Sequence, residues 1–288
     1  IVTGLIVFLI NQPLTEWLFA LDTNWLFIIG LTTAFLVGLG LGSAMEATLI
    51  RPLYTRPMYQ LMLTLGIGVI GIEVVRAWWG RSQIDMPRPA LFSVSGGACP
   101  ASTVGDWLAN GCSTIRFMDG RIRTYNEIFV IVVGLVVLIG VWLLLQRSRL
   151  GMIIRAGVQD REMVEALGIN VRRVFTLVFG LGVGLAAFGG AVAGPSLGLT
   201  AEMGEVVLLG ALIALVIGGL TSFPGAAVGA IIVGLVQQFI IKYGQIGIQL
   251  PFLAEPFKPS PPLVPASTVL LMVVILLILP QGLFGRKE

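Results

Sequence analysis

An all-α fold, a polytopic transmembrane helical bundle, is predicted by three observations. Of 288 residues, 56% are hydrophobic and only 11% are charged, roughly half the charge of a soluble domain. Mean hydropathy is +0.96. Uncharged runs of about 20 residues, enough to cross a hydrocarbon core about 30 Å thick, recur along the chain. The absence of histidine excludes His-dependent triads, His-ligated zinc and haem on a proximal His. Two cysteines are too few for a four-cysteine metal site. No metal, cofactor or catalytic centre is expected, so function has to be read from loops and helix breaks.

The runs divide into about eight hydrophobic segments, one of them short or broken. Residues 1–10 are apolar up to Asn11-Gln12-Pro13. At ~1.5 Å per residue they cross half a bilayer, so the chain is read as starting inside a helix of a longer protein. Spans follow at 25–45, 58–79, 126–146 and 174–193. The charge-free stretch 206–241 is too long for one helix and is divided by Gly218-Gly219-Leu220-Thr221-Ser222-Phe223-Pro224-Gly225. A short segment at 206–217 and a second at 226–241 result, and after a proline-rich stretch a last span covers 267–279. Residues 1–288 are read as one transmembrane domain with a long outer loop at 80–125 and an inner loop at 147–173.

Orientation follows from Lys and Arg near span ends. Arg147, Arg149, Arg155, Arg161, Arg172 and Arg173 lie in one connection, Arg51 and Arg56 in another, and Arg286 and Lys287 at the C-terminus. Span counting puts all three on one face, which is therefore cytoplasmic. The net charge of +3 reflects this topology and predicts a bilayer, and no nucleic acid, as partner. The opposite face carries the 80–125 loop, with Arg81, Arg88, Arg116, Arg121 and Arg123 beside Asp85, Asp106 and Asp119. Its Cys99 and Cys112 are disulfide candidates. A bridge closing so short a loop stabilises it by up to about 3 kcal/mol in the chain-entropy model, and an oxidising compartment permits it.

The inner loop is the most informative segment. Asp160, Arg161, Glu162, Met163, Glu165, Ala166 and Leu167 alternate charge and apolar surface at helical spacing, with Met163, Ala166 and Leu167 on one side, and stop at Gly168, a natural C-cap residue. The pattern predicts a short amphipathic surface helix, either packed on its own bundle or on lipid headgroups, or docking a cytosolic partner. A P-loop requires Gly-Lys-Ser/Thr around the phosphates. The lysines Lys242, Lys258 and Lys287 are followed by Tyr, Pro and Glu, so the chain is not expected to hydrolyse ATP itself.

Within the spans, Glu73 with Arg76 at i+3 stands near the Trp78-Trp79 pair, either as an interfacial ion pair or as part of a substrate path. Glu46, at an inner helix end, reads as interfacial. Gly180 and Gly184 form a small-residue face suited to close helix packing. Gly218, Gly219, Ser222, Pro224 and Gly225 mark either a discontinuous helix exposing backbone groups to substrate or a tight cytoplasmic turn.

Several motifs in order give the chain its resemblance to a family. They are Arg51-Pro52-Leu53, Arg149-Leu150-Gly151 through Arg155-Ala156, Glu165-Ala166-Leu167-Gly168-Ile169-Asn170 with Arg172-Arg173-Val174, the Gly218 to Gly225 turn, and Pro280-Gln281-Gly282-Leu283-Phe284-Gly285-Arg286. Together they resemble the membrane permeases of branched-chain amino acid importers of the ATP-binding-cassette class. The resemblance implies a second related permease, two cytosolic ATPase subunits and a periplasmic substrate-binding protein as partners, with Asp160 to Gly168 as the helix seated in an ATPase cleft. Related permeases carry urea or short amides, which is the alternative within the class. Outside the class, a secondary transporter or channel working alone and an intramembrane enzyme are the competing readings.

Overall fold

The computed structural model describes residues 23–54, 56–86, 88–94, 101, 103–117, 120–219, 222–246, 263–279 and 281–284. The chain forms two compact units, Ile1–Ala201 and Glu202–Glu288. Among the described residues, five helices are long and apolar enough to cross a membrane, and two apolar helices are shorter. The hydrophobic segment expected at 1–10 lies outside the described residues.

In the first unit, α1 (Thr23–Met45) runs on through a π turn (Glu46–Ile50) and a 3-10 turn (Arg51–Leu53). The span is thereby 30 residues long. Pro57 opens α2 (Pro57–Trp79), where its missing N–H costs nothing, and Gly80 at φ +81° closes it. The helix α7 (Val171–Leu197) packs along α1 through interlocked small residues. A Cβ on Gly38 would lie 3.0 Å from the Gly184 Cα, and one on Gly42 would lie 3.1 Å from the Gly180 Cα. Side chains there would push the two backbones apart, so glycine is what permits this crossing.

The 80–125 loop is more ordered than its Gly, Pro and Ser content suggests. It contains α3 (Val104–Asn110) and an antiparallel hairpin of β1 (Thr114–Phe117) and β2 (Gly120–Arg123), with Thr114 opposite Arg123. The Thr103 hydroxyl accepts from the Asp106 N–H at 3.2 Å, capping α3. A second π turn (Thr124–Phe129) leads into α4 (Val130–Arg147). An aromatic cluster of Phe27, Phe92, Trp107, Tyr125 and Phe129 fastens the loop to the ends of α1 and α4. The rings of Phe92 and Tyr125 meet edge to face at 5.4 Å, a favoured quadrupole arrangement. The Tyr125 hydroxyl donates to the Val192 carbonyl of α7 at 2.8 Å, and the Leu91 N–H donates to Asn24 of α1 at 3.1 Å.

At the other end of the unit, three side-chain caps divide residues 148–170. Ser148 accepts from the Gly151 N–H at 3.0 Å, Asp160 from the Met163 N–H at 3.0 Å, and Asn170 from the Arg173 N–H at 3.2 Å. They start α5 (Arg149–Gln159), α6 (Arg161–Ala166) and α7 in turn. Residues 147–173 thus hold two short helices, α5 and α6, where the charge pattern predicted one.

The second unit is built from α8 (Met203–Gly218), α9 (Phe223–Ile246) and α10 (Leu263–Ile278). Ile213, Ala214, Ile217 and Val233 form its core, with Leu271, Met272 and Ile275 packed against them.

Candidate functional site

The short helix α6 is anchored by one residue and displays the others. Val164 is 5% exposed, whereas Met163 and Leu167 are 64% and 75% exposed. Glu162, Glu165, Ala166 and Gly168 are exposed as well. Gly168 takes φ +79°, a conformation that L side chains rarely adopt, and so ends the helix where the pattern placed its stop. Beside it, Glu165, Gly168, Ile169, Asn170 and Arg172 line an open depression. The apolar side read from the sequence is therefore not the side that packs on the chain's own body. Two bulky apolar side chains point away from the bundle, framed by acids and by Arg172. The side chain of Arg161 lies outside the described residues.

Close to this loop is a polar cluster that the sequence reading did not assemble. Glu46 is fully buried, contrary to its expected interfacial position. The Tyr54 hydroxyl donates to its Oε1 at 2.6 Å, the Thr176 hydroxyl donates to its Oε2, and the Arg51 guanidinium forms an ion pair with Oε2 at 3.5 Å. Arg51 also donates to the Thr176 hydroxyl at 2.6 Å. The Arg51 side chain is 34% exposed while the carboxyl is wholly buried, so these three neighbours stand in for the water the carboxyl has lost. The π turn makes this arrangement, because the Arg51 N–H bonds the Glu46 carbonyl five residues back. A signal was present in the sequence: Gly38, Gly42 and Glu46 recur every fourth residue on α1, and Thr176, Gly180 and Gly184 recur likewise on α7.

The substrate-path candidates are divided between the two units. Glu73 is 57% exposed and paired with Arg76 at 2.5 Å, on a helix with no buried residue in its apolar window. In the second unit, Gly218 and Gly219 end α8, and Ser222, Pro224 and Gly225 start α9. Gly219 has φ +105°, and the Ser222 hydroxyl accepts from the Gly225 N–H at 3.2 Å. The chain returns to seal this turn: Leu283 and Phe284 donate their N–H groups to the carbonyls of Ile217 and Gly218 at 2.9 and 3.1 Å. These are the carbonyls that a helix end leaves unpaired. Here they are taken by the chain itself.

On the loop face, Arg81, Asp85, Arg88, Asp106, Arg116 and Arg123 are exposed. Asp119 and the side chain of Arg121 lie outside the described residues. Cys112 is fully buried and disulfide-bonded, while Cys99 lies outside the described residues. Among the described residues no cluster of three or more His, Cys, Asp or Glu could hold a metal ion.

Fold and site together define a mainly helical, multi-pass membrane protein whose short helix α6 presents Met163 and Leu167 outward. The chain belongs to the family of permease components of branched-chain amino acid transport systems, which matches it over residues 1–279. It is similar to the high-affinity branched-chain amino acid transport system permease protein BraD of Pseudomonas aeruginosa, 33% identical over 172 residues. That match covers 59% of this chain and 51% of BraD, so the chain spans about half of that relative's length. It is also similar to the high-affinity branched-chain amino acid permease LivH of Salmonella typhimurium, 26% identical over 249 residues, 86% of this chain and 70% of LivH. A shorter match joins it to the fructose import permease protein FruF of Bifidobacterium longum, 32% identical over 136 residues, 44% of this chain and 38% of FruF. No solved structure matches the chain.

Proposed function

We propose that this chain is the membrane-spanning permease of an importer that moves branched-chain or other small amino acids into the cell, powered by ATP hydrolysed on separate chains. The observation that carries the reading is α6, where buried Val164 fixes the helix while Met163 and Leu167 are presented outward. A bilayer-facing helix would keep such residues continuous with an apolar belt. Here acidic Glu162 and Glu165 interrupt them, a mixture suited to a protein groove. In this reading α6 seats in a cytosolic ATPase, and two such ATPases serve a pair of permeases, this chain and a related one. The C-terminus lies in the cytoplasm of a bacterial inner membrane. On the opposite face, the mixed charges of the 80–125 loop form a landing surface for a periplasmic substrate-binding protein, and mixed charge favours reversible docking.

Reconstitution tests the reading. Proteoliposomes holding the complete complex should accumulate radiolabelled leucine, isoleucine or valine only when ATP is supplied on the ATPase side. Sustained concentrative uptake by this chain alone would exclude it in favour of a secondary transporter. The likeness to FruF makes sugar the control substrate: ATP-driven uptake of fructose without amino-acid uptake would keep the assembly and replace the cargo.

A further inference from the structure

We infer that Glu46 is a positioning residue that links the docking loop to α2, so that movement at the start of α7 is passed through Thr176 and Glu46 to Arg51 and Tyr54. The inference rests on the proposed role of α6 as the ATPase seat. Three observations carry it.

The first is connectivity. Residues 167–170 join α6 directly to the first turns of α7, where Thr176 reaches across to Glu46. Arg51 and Tyr54, the other partners of Glu46, lie in the connection that leads into α2. One buried carboxyl group thus joins the end of the first span and the turn that leads into α2 to α7, 130 residues further on.

The second is the isolation of α2. This helix has no buried residue in its apolar window, and its packing within the unit is chiefly on the π turn and the 3-10 turn beneath it. Its orientation is set at its base, where Arg51 and Tyr54 are held by Glu46.

The third is a choice of acceptors at Thr176. The Thr176 hydroxyl carries one proton and has two acceptors within reach, the Glu46 carboxyl and the Arg172 carbonyl at 2.9 Å. Donation to one excludes donation to the other. Arg172 lines the depression beside α6, so a partner pressing there acts on the residue that competes for this proton. A discrete pair of arrangements is what a transmitting element requires.

The test uses the complete complex of permeases, ATPases and binding protein, and reads the number of ATP molecules hydrolysed per substrate moved. Thr176→Val keeps the side-chain shape and removes the hydroxyl. It should leave the ATPases bound and hydrolysing within about twofold of wild type while uptake falls about tenfold or more, a loss of about 1.4 kcal/mol or more in coupling. Thr176→Ser should restore the ratio. Tyr54→Phe, which removes a donor to the same carboxyl on the α2 side, should also raise the ratio and carries the test where Thr176→Val reduces assembly. A wild-type ratio in the variants that assemble overturns the inference. Ala166→Arg separates it from the docking reading. Lost ATPase binding in Ala166→Arg with normal coupling in Thr176→Val overturns the link alone, whereas normal binding and transport in Ala166→Arg overturns both.

Discussion

Gly218 and Gly225 face each other so closely that a Cβ on the first would lie 2.1 Å from the carbonyl oxygen of the second, and a Cβ on the second 2.2 Å from the carbonyl oxygen of the first. Both obstacles are backbone, which cannot swing aside. Gly218→Ala should therefore destabilise the helix pair by about 2–3 kcal/mol, in the range of overpacking costs. Thermal unfolding of the detergent-solubilised protein measures this. An unchanged melting temperature with weakened substrate affinity would make the Gly218 to Gly225 turn part of the substrate path.

Ala166→Arg places a large cation on an exposed face of α6. A packed groove admits such a group only at a desolvation cost of several kcal/mol, while the helix itself, held by Val164, stays folded. ATPase subunits should fail to co-purify with the variant at normal permease abundance. Undiminished transport would place α6 against lipid.

Glu73→Gln removes the charge from an ion pair that is largely exposed. Exposed pairs contribute about 0–1 kcal/mol, so uptake should stay within about twofold of wild type. A tenfold fall, with abundance unchanged, would make Glu73 part of the substrate path.

Topology and bridge are separable by thiol chemistry. Alkylation of the denatured protein should add no label before reduction and two labels afterwards, since Cys112 is already bonded and the chain has two cysteines. In intact cells, an impermeant reagent should label exposed Arg116→Cys and spare exposed Arg173→Cys. Labelling of the second in place of the first would invert the membrane topology.

Much of the fold is legible in the sequence because a bilayer imposes one rule on it. Charges are disfavoured across about 20 consecutive residues, so their scarcity at 58–79 and 126–146, where Glu73, Arg76 and Glu127 alone intervene, marks spans almost to the residue. The outer loop was less legible. Its composition suggested irregular chain, and α3 is signalled only by the Thr103 to Asp106 cap spacing and by Gly111 behind the helix. Within α6, Val164 and Met163 are neighbours of similar polarity, and periodicity over so few residues does not reveal which one turns inward. Glu46 was misread for a different reason. Near a span end, the charge of one residue fits the headgroups as well as it fits a pocket, and Thr176, which decides between them, is 130 residues away.

The π turn after Met45 also has a bearing on alignment within the family. Such a turn amounts to one residue inserted into an α-helix. Deleting one position from Glu46–Ile50 would leave a hydrophobic stretch still ample for the bilayer, yet would rotate Arg51 and Tyr54 by about 100° about the helix axis. A relative with one residue fewer here would share the span but lack the buried cluster, so the length of this short stretch, more than its composition, marks which homologues keep the same wiring at the base of α2.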